Sequence, residues 1–381
     1  MKTFITTSIA AVCLTISVSA QANKQAPYLS LKLEMENAIK TGNAYMKKQQ
    51  NAKGFWKEET IPAYTALAIT AAMRDPNLGK ETPENIKTAY TWLLTNQKES
   101  GAIYGKGLAT YNTATGIMAL ALSGDKSHVQ PILKARAFLI SQQNDFANDP
   151  KMKNMAGGIG YGGRFPHSDM SNTYLSIEAL KISESFAKDG ENGEQPDLDW
   201  DRALKFITKC QNLQLTNDQP EVGNDGSFYY FPGDSKAGKQ KNADGTETLR
   251  GYGSMSYAGL LSMIYADVDQ DDPRVKSVTG WLNNNFSIEE NPGLGQQGLY
   301  YYYNVMAKGL SAANIDTLKT KDGKVIDWRK ELATKIITSQ REDGSWTNAN
   351  SRWWENQPEL VTCYAVLTLE QIHASIAKPA K

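Results

Sequence analysis

One arrangement recurs along the chain. An amphipathic helix ends in glutamine, a polar loop follows with glycine and an aromatic residue, and a nearly uncharged helix comes next. The clearest copy is Ser339-Gln340-Arg341-Glu342-Asp343-Gly344-Ser345-Trp346, and an earlier one is Gln49-Gln50-Asn51-Ala52-Lys53-Gly54-Phe55-Trp56. Weaker copies span 96–101, 142–158 and 211–228, and a degenerate one lies between Trp281 and Gly298. Six copies in about 360 residues give roughly 60 residues each, the length of a helical hairpin with long loops. A single hairpin cannot bury its own apolar face, so the hairpins must stack on one another.

The two helices of each pair differ in kind. Leu31, Met35, Ala38, Ile39, Tyr45 and Met46 fall near one face, as do Val275, Val278 and Leu282, and Trp328, Leu332, Ile336 and Ile337. One face on protein and one on water describes an outer helix. Thr82-Pro83, Asp272-Pro273 and Asp327 offer its N-caps. The second helices, at 63–72, 113–122, 173–180, 257–265 and 360–369, carry almost no charge, which describes helices buried all round. Alternating outer and inner helices predict an all-α fold, an (α/α)6 toroid with two concentric rings. Its cavity opens where the N-terminal ends of the inner helices gather. Residues 214–250, rich in Gly, Asp, Asn and Lys around Phe228-Tyr229-Tyr230-Phe231-Pro232-Gly233, break the rhythm. They read as a long irregular loop, with room for a short hairpin, over one end.

Charge and targeting narrow the function classes. Lys+Arg and Asp+Glu are both 41, so no global field attracts a polyanion, and nucleic acid is not an expected partner. Lys2, a mostly apolar stretch over 4–18 and Val18-Ser19-Ala20 read as a secretory signal cut before Gln21. The apolar stretch is shorter than the roughly 20 residues a membrane span needs. The expected organisation is a signal peptide at 1–20 and one toroid domain at 21–381, exported to the periplasm or beyond, with no transmembrane segment once the signal is removed. Export permits Cys210 and Cys363 to pair, which spacing alone does not decide. Three scattered histidines and no paired-cysteine motif give no zinc spacing, so neither metal nor cofactor is expected.

The Gln…Asp-Gly-Ser-Trp motif, the helix-pair period and the toroid resemble the prenyltransferase and squalene-oxidase repeat superfamily, over residues 32–372. The stretch 252–265, YGSMSYAGLLSMIY, followed by Gln296-Gln297-Gly298-Leu299-Tyr300-Tyr301-Tyr302-Tyr303, looks like its exported bacterial members with a single toroid. The resemblance implies a terpenoid-cyclase-like fold and an apolar or isoprenoid small molecule as ligand. If the protein is an enzyme, it implies a cyclase or mutase. Cyclases of this type take their proton from Asp-x-Asp-Asp-Thr at the start of an inner helix. Here that stretch is Asp169-Met170-Ser171-Asn172-Thr173, with serine in place of the donor. Protonation-type cyclisation is therefore not expected. The literal Asp269-Gln270-Asp271-Asp272 precedes Pro273 and reads as a helix cap. Prenyltransferase chemistry needs a zinc histidine before Thr362-Cys363-Tyr364, where this chain has Val361, and Cys363 reads as a packing residue.

The remaining candidates gather at the expected mouth. Asp169 and His167, two residues apart, are candidates for an acid–base pair. Tyr111, Asn112, Asn172, Tyr252, Tyr300, Tyr301, Trp353 and Glu359 are candidates for ligand contact, with Glu58, Glu59, Arg164, Ser254 and Trp354 close by. Aromatic faces there can hold a cation or stack on a sugar. A carbohydrate-active site built on Glu58, Glu59, Asp169 or Glu359 is the alternative, and a protein-binding scaffold is a third.

Overall fold

The computed structural model describes residues 28–146, 149–162, 167–190 and 193–377. The segment 1–20 expected to be a signal, and Arg164, lie outside the described residues. Twelve principal helices follow in order: α1 Leu29–Gln49, α2 Ala63–Arg74, α3 Glu84–Thr95, α4 Ala109–Ala121, α5 Val129–Ser141, α6 Met170–Ile182, α7 Trp200–Lys209, α8 Gly253–Tyr265, α9 Pro273–Asn284, α10 Leu299–Ala312, α11 Trp328–Thr338 and α12 Pro358–Ala377. Each even-numbered helix packs on the next, and α12 returns onto α2, so the inner ring closes. The odd-numbered helices lie outside it, each against an inner neighbour.

The burial pattern follows the apolar pattern. In α1 the core-facing stripe is Met35, Ala38, Ile39, Gly42 and Met46, while Leu31 and Tyr45 sit at its edge. In α9 it is Val275, Val278 and Leu282. The inner helices are buried almost throughout, α8 from Gly253 to Met263 without a break. Asp272 caps α9, its Oδ1 accepting from Arg274 N at 2.8 Å with Pro273 at the first helical position. Asp327 and Asp199 cap α11 and α7 in the same way. At α3 the helix starts one residue later than Thr82-Pro83 suggests: Pro83 holds the cap position and no side chain caps it.

Five corners between outer and inner helices share one wiring. The repeat glutamine donates to its own loop glycine and also to a carbonyl of the next outer helix. Gln50 Nε2 reaches Gly54 O and Asn85 O at 2.8 Å. Gln97 reaches Gly101 O at 3.1 Å and Pro131 O at 2.8 Å. Gln143 reaches Gly157 O at 3.0 Å and Asp199 O at 2.9 Å. Gln211 reaches Gly226 O at 3.1 Å and Arg274 O at 2.9 Å. Gln340 reaches Gly344 O at 2.9 Å and, across the ring closure, Ala38 O at 3.0 Å. Each corner also hangs its loop on the following inner helix. Trp56 N, Ile103 N, Ile159 N, Phe228 N and Trp346 N donate to the hydroxyls of Thr65, Thr113, Thr173, Ser256 and Thr362. The loop glycine is required twice over. Gly157 has φ +90°, and a Cβ there would lie 2.1 Å from the Arg202 carbonyl oxygen of the neighbouring outer helix.

Two small hairpins complete the fold. Lys239–Lys241 pairs antiparallel with Glu247–Leu249 inside the long loop, in the register Lys239 to Leu249. Leu318–Lys319 pairs with Val325–Ile326 ahead of α11, a hairpin the helix pattern does not foretell. Cys210 and Cys363 are both buried free thiols; burial pushes both pKa values up, and Cys363 packs in the core.

Candidate functional site

The inner helices face the bore along stripes spaced three or four residues apart. On α4 the stripe is Tyr111, Thr115, Met118 and Leu122; on α10 it is Tyr301, Asn304 and Lys308. Five bore residues, Leu67, Tyr111, Leu175, Tyr301 and Tyr364, line two cavities at once. They form a waist, closed on one side by a 2.8 Å hydrogen bond between the Tyr111 and Tyr364 hydroxyls. The bore is thus two chambers, an upper one of about 220 Å³ at the N-terminal ends of the inner helices and a lower one of about 210 Å³ at their C-terminal ends.

Seven tyrosines line the upper chamber: Tyr64, Tyr111, Tyr161, Tyr230, Tyr252, Tyr301 and Tyr364. Burial raises the pKa of every one of these phenols, that of Tyr111 to about 12, so all stay neutral at physiological pH. Tyr230 comes from the long loop, which therefore roofs the chamber. Lys236 from the same loop places its ammonium 4.3 Å from the Tyr230 ring centroid. Trp353 and Trp354 form the rim. Both sit in left-handed backbone, φ 54° and 63°, and remain 41% and 48% exposed, a strained and costly way to display two indoles.

Polar groups at the mouth serve mainly to end helices. Asn112 Oδ1 accepts from Ala63 N at 2.8 Å, capping α2, and its amide donates to Leu108 O. Asn291 Oδ1 accepts from Ser254 N at 3.0 Å in α8. Glu355 accepts from Tyr301 N at 2.9 Å and Tyr300 N at 3.3 Å, with Asn348 Nδ2 at 2.8 Å, at the start of α10. Burial pushes the Glu355 carboxyl up, against the pull of those donors. An anion at a helix N-terminus is well placed electrostatically.

Asp169 caps α6 from a buried position. Its Oδ1 accepts from Ser171 Oγ at 2.6 Å and Asn172 N at 2.9 Å, and its Oδ2 from Asn172 Nδ2 at 2.9 Å. Burial raises its pKa, opposed first by the Ser171 hydroxyl, then by Asn172, and last by the charge of His167. Both oxygens are thus occupied as acceptors, and Ser171, not Asp169, lines the chamber. His167 lays its ring 5.1 Å from that of Phe231.

Of the sequence candidates, Tyr111, Tyr252, Tyr301 and Trp353 reach the upper chamber, with Ser254 and Trp354. Asn112 and Asn172 stand behind the wall as caps and braces. Tyr300 is turned away, its ring edge-on to Tyr303 at 5.5 Å. Glu359 pairs with Lys57 at 3.4 Å, Glu58 ties back to Thr60, and Glu59 pairs with Lys53. Tyr64, Tyr161, Tyr230, Tyr364 and Glu355 are lining residues that the sequence candidates omit. A stripe at three- and four-residue spacing links Tyr64 to Leu67 and Leu360 to Tyr364. Glu355 and Tyr230 lie on no periodic element and carry no such signal. Among the described residues no three His, Cys, Asp or Glu side chains converge as metal ligands, and no helix is long and apolar enough to cross a membrane.

No protein-family model and no curated protein matches the sequence. Solved structures do resemble the fold. The type II terpene cyclase MstE from Scytonema, free of ligand, superposes with a TM-score of 0.55 at 12% identity, over 90% of this chain and 99% of that one. A substituted MstE holding its substrate, geranylgeranyl dihydroxybenzoate, gives 0.55 at 12% identity, over 91% and 99%. Another, holding its product merosterolic acid A, gives 0.52 at 11% identity, over 91% and 99%. At these identities the likeness establishes a terpene-cyclase-like helical fold.

Proposed function

We propose that this protein is exported and binds an apolar, isoprenoid-type small molecule in the upper chamber, without protonating it. The observation that carries the reading is the pairing of a tyrosine-lined chamber with a serine hydroxyl, Ser171, where an acid would have to stand. Alkene protonation needs a carboxylic acid aimed at the ligand with its proton free to leave. Asp169 is turned into its own helix start, with three donors on its two oxygens. Glu355 lines the chamber and burial raises its pKa, but Tyr301 N engages one of its oxygens and Tyr300 N and Asn348 Nδ2 the other, so neither oxygen is free to aim a proton at the ligand. The neutral phenol faces and the apolar side chains of Leu67, Leu108, Leu175 and Met255 suit a polyene chain, and a hydroxyl head would find Ser254 or Ser171. The substrates and products held by structurally similar cyclases support the same ligand class.

Glycoside hydrolysis, the alternative, requires two carboxyls facing each other across about 5–10 Å. Glu355 is the one carboxylate among the residues lining the chamber, and Glu58, Glu59, Asp169 and Glu359 are engaged elsewhere.

The rim tryptophans provide the readout. Titration with farnesol or geranylgeraniol is expected to change Trp353 and Trp354 fluorescence saturably, and Met255→Trp, which fills the chamber, to abolish the response to added ligand. Mass spectrometry after incubation with polyprenyl substrates is expected to return them unchanged. Absence of any saturable binding would sink the ligand assignment, and a cyclised product would sink the claim about chemistry.

A further inference from the structure

Below the waist the bore changes character. The lower chamber keeps an apolar wall, including Met118, Leu122, Leu175 and Leu367, but brings charge into it. Glu178 of α6 and Lys308 of α10 meet at 2.9 Å across the bore, although α8 stands between those helices in the ring. The Tyr174 hydroxyl donates to the other Glu178 oxygen at 2.8 Å. Both oxygens of that carboxylate are therefore engaged.

Arg74, the last residue of α2, is different. It lines the chamber, and its one hydrogen bond described is from Nη2 to the neutral Gln371 side chain at 2.8 Å. No carboxylate among the described residues lies within ion-pair distance of it. The nearby Glu370 makes no hydrogen bond to it: both of its buried oxygens lack a partner, and burial pushes that carboxyl well up, opposed by the charge of Arg74. A guanidinium has five donors in a flat fork matched to a carboxylate. Most of that fork is unspent here. A second donor in the same chamber is also unspent. Asn304, 4% exposed, has an amide nitrogen with no partner. The groups that line the chamber are thus two cations, one satisfied carboxylate and an idle amide, beside an apolar wall.

We propose that the lower chamber is a second binding site, for a small monocarboxylate with a short apolar tail. Arg74 is its counter-ion, Asn304 a second donor, and Leu122, Leu175 and Leu367 the seat of its tail. The Glu178–Lys308 pair fixes the floor and keeps the Lys308 ammonium from competing for solvent. This site stands apart from the isoprenoid reading, because the tyrosine waist separates the two chambers.

Calorimetry with hexanoate, against hexan-1-ol and hexylamine of the same length, tests it. One hexanoate per chain is expected, with binding at least tenfold weaker for the alcohol and none for the amine. Arg74→Gln, which keeps an uncharged polar partner for Gln371, is expected to weaken hexanoate at least tenfold with an unchanged melting curve. Should that variant fail to fold, Asn304→Leu reads the same site, with a loss of several-fold expected. Met255→Trp in the upper chamber is expected to abolish farnesol binding and leave hexanoate intact, so the two readings fail separately. Equal uptake of hexanoate and hexan-1-ol, or full affinity in both lower-chamber variants, overturns the proposal.

Discussion

Set the five wired corners beside the sixth, residues 285–298. In the five, a glutamine ties one outer helix to the next, and the contacts run around the rim of the ring. In the sixth there is no such glutamine, and the contacts turn inward. Asn291 takes its place, accepting from Ser254 N at the start of α8 and donating to Ser254 Oγ at 3.2 Å and Gln297 O at 3.1 Å. Pro292 O accepts from Gly253 N at 2.9 Å. This corner ends at Gly298, which lines the upper chamber with φ +63°, and a Cβ there would stand 3.0 Å from the Trp353 ring. The regular corners hold the ring shut; the irregular one shapes its mouth. Where the chain gives up its repeat, it gains a wall for the site.

Substitutions can break this contrast. The largest effect is expected at a wired corner. Gly157→Val places a branched side chain at φ +90° with its Cβ against the Arg202 carbonyl. A loss of about 4 kcal/mol or no folded protein is expected by denaturant titration. Gly298→Ala, with its contact to a movable ring rather than to backbone, should lose far less stability but alter the Trp353 signal. Equal losses at the two glycines would erase the distinction. Next comes Asn291→Ala, which orphans the buried Ser254 N–H and is expected to cost about 2–3 kcal/mol. Gln97→Leu, one rim tie of five, should cost about 1–2 kcal/mol, and should add to the matching change at Gln340 because the two corners share no partner. Strong coupling between them would mean that the rim acts as a single strap.

The smallest effect is one of pH. The Ser345 hydroxyl and backbone N–H hold the Asp343 carboxyl below its ordinary value. Its contribution is then present above the unfolded value of about 3.9 and is lost as pH falls through the lower folded one. The advantage of the native chain over Asp343→Asn should be slight, because the group faces solvent, and should fade only in acid.

The ring was legible because its signals are local and repeated. Glutamine, glycine and a threonine or serine of the next helix recur at each of the five wired corners, and Asp272-Pro273 announces a helix start by itself. The bore was less legible for a physical reason. Helices buried on every side show no polar face to mark which stripe looks inward, so Tyr300 and Tyr301 are equivalent in sequence yet point apart, one outward and one into the waist. Polar residues near helix starts invited a ligand role, but Asn112 and Asn172 are spent on unpaired backbone N–H groups and on Asp169, a use that competes at every helix N-terminus. Tyr230 and Glu355 reach the chamber from irregular segments, and only the long loop's break in rhythm hinted at the first.

The tie from Gln340 to Ala38 spans 302 residues of chain. A solenoid with free ends can set from one end while the rest is still being made. This ring cannot. At about 5–20 residues per second, the first helix waits on the order of 15–60 s on the ribosome's timescale for the partner that completes it. For that interval the apolar inner helices made first have no closing partner, the kind of transient exposure that makes an unfinished chain prone to aggregate.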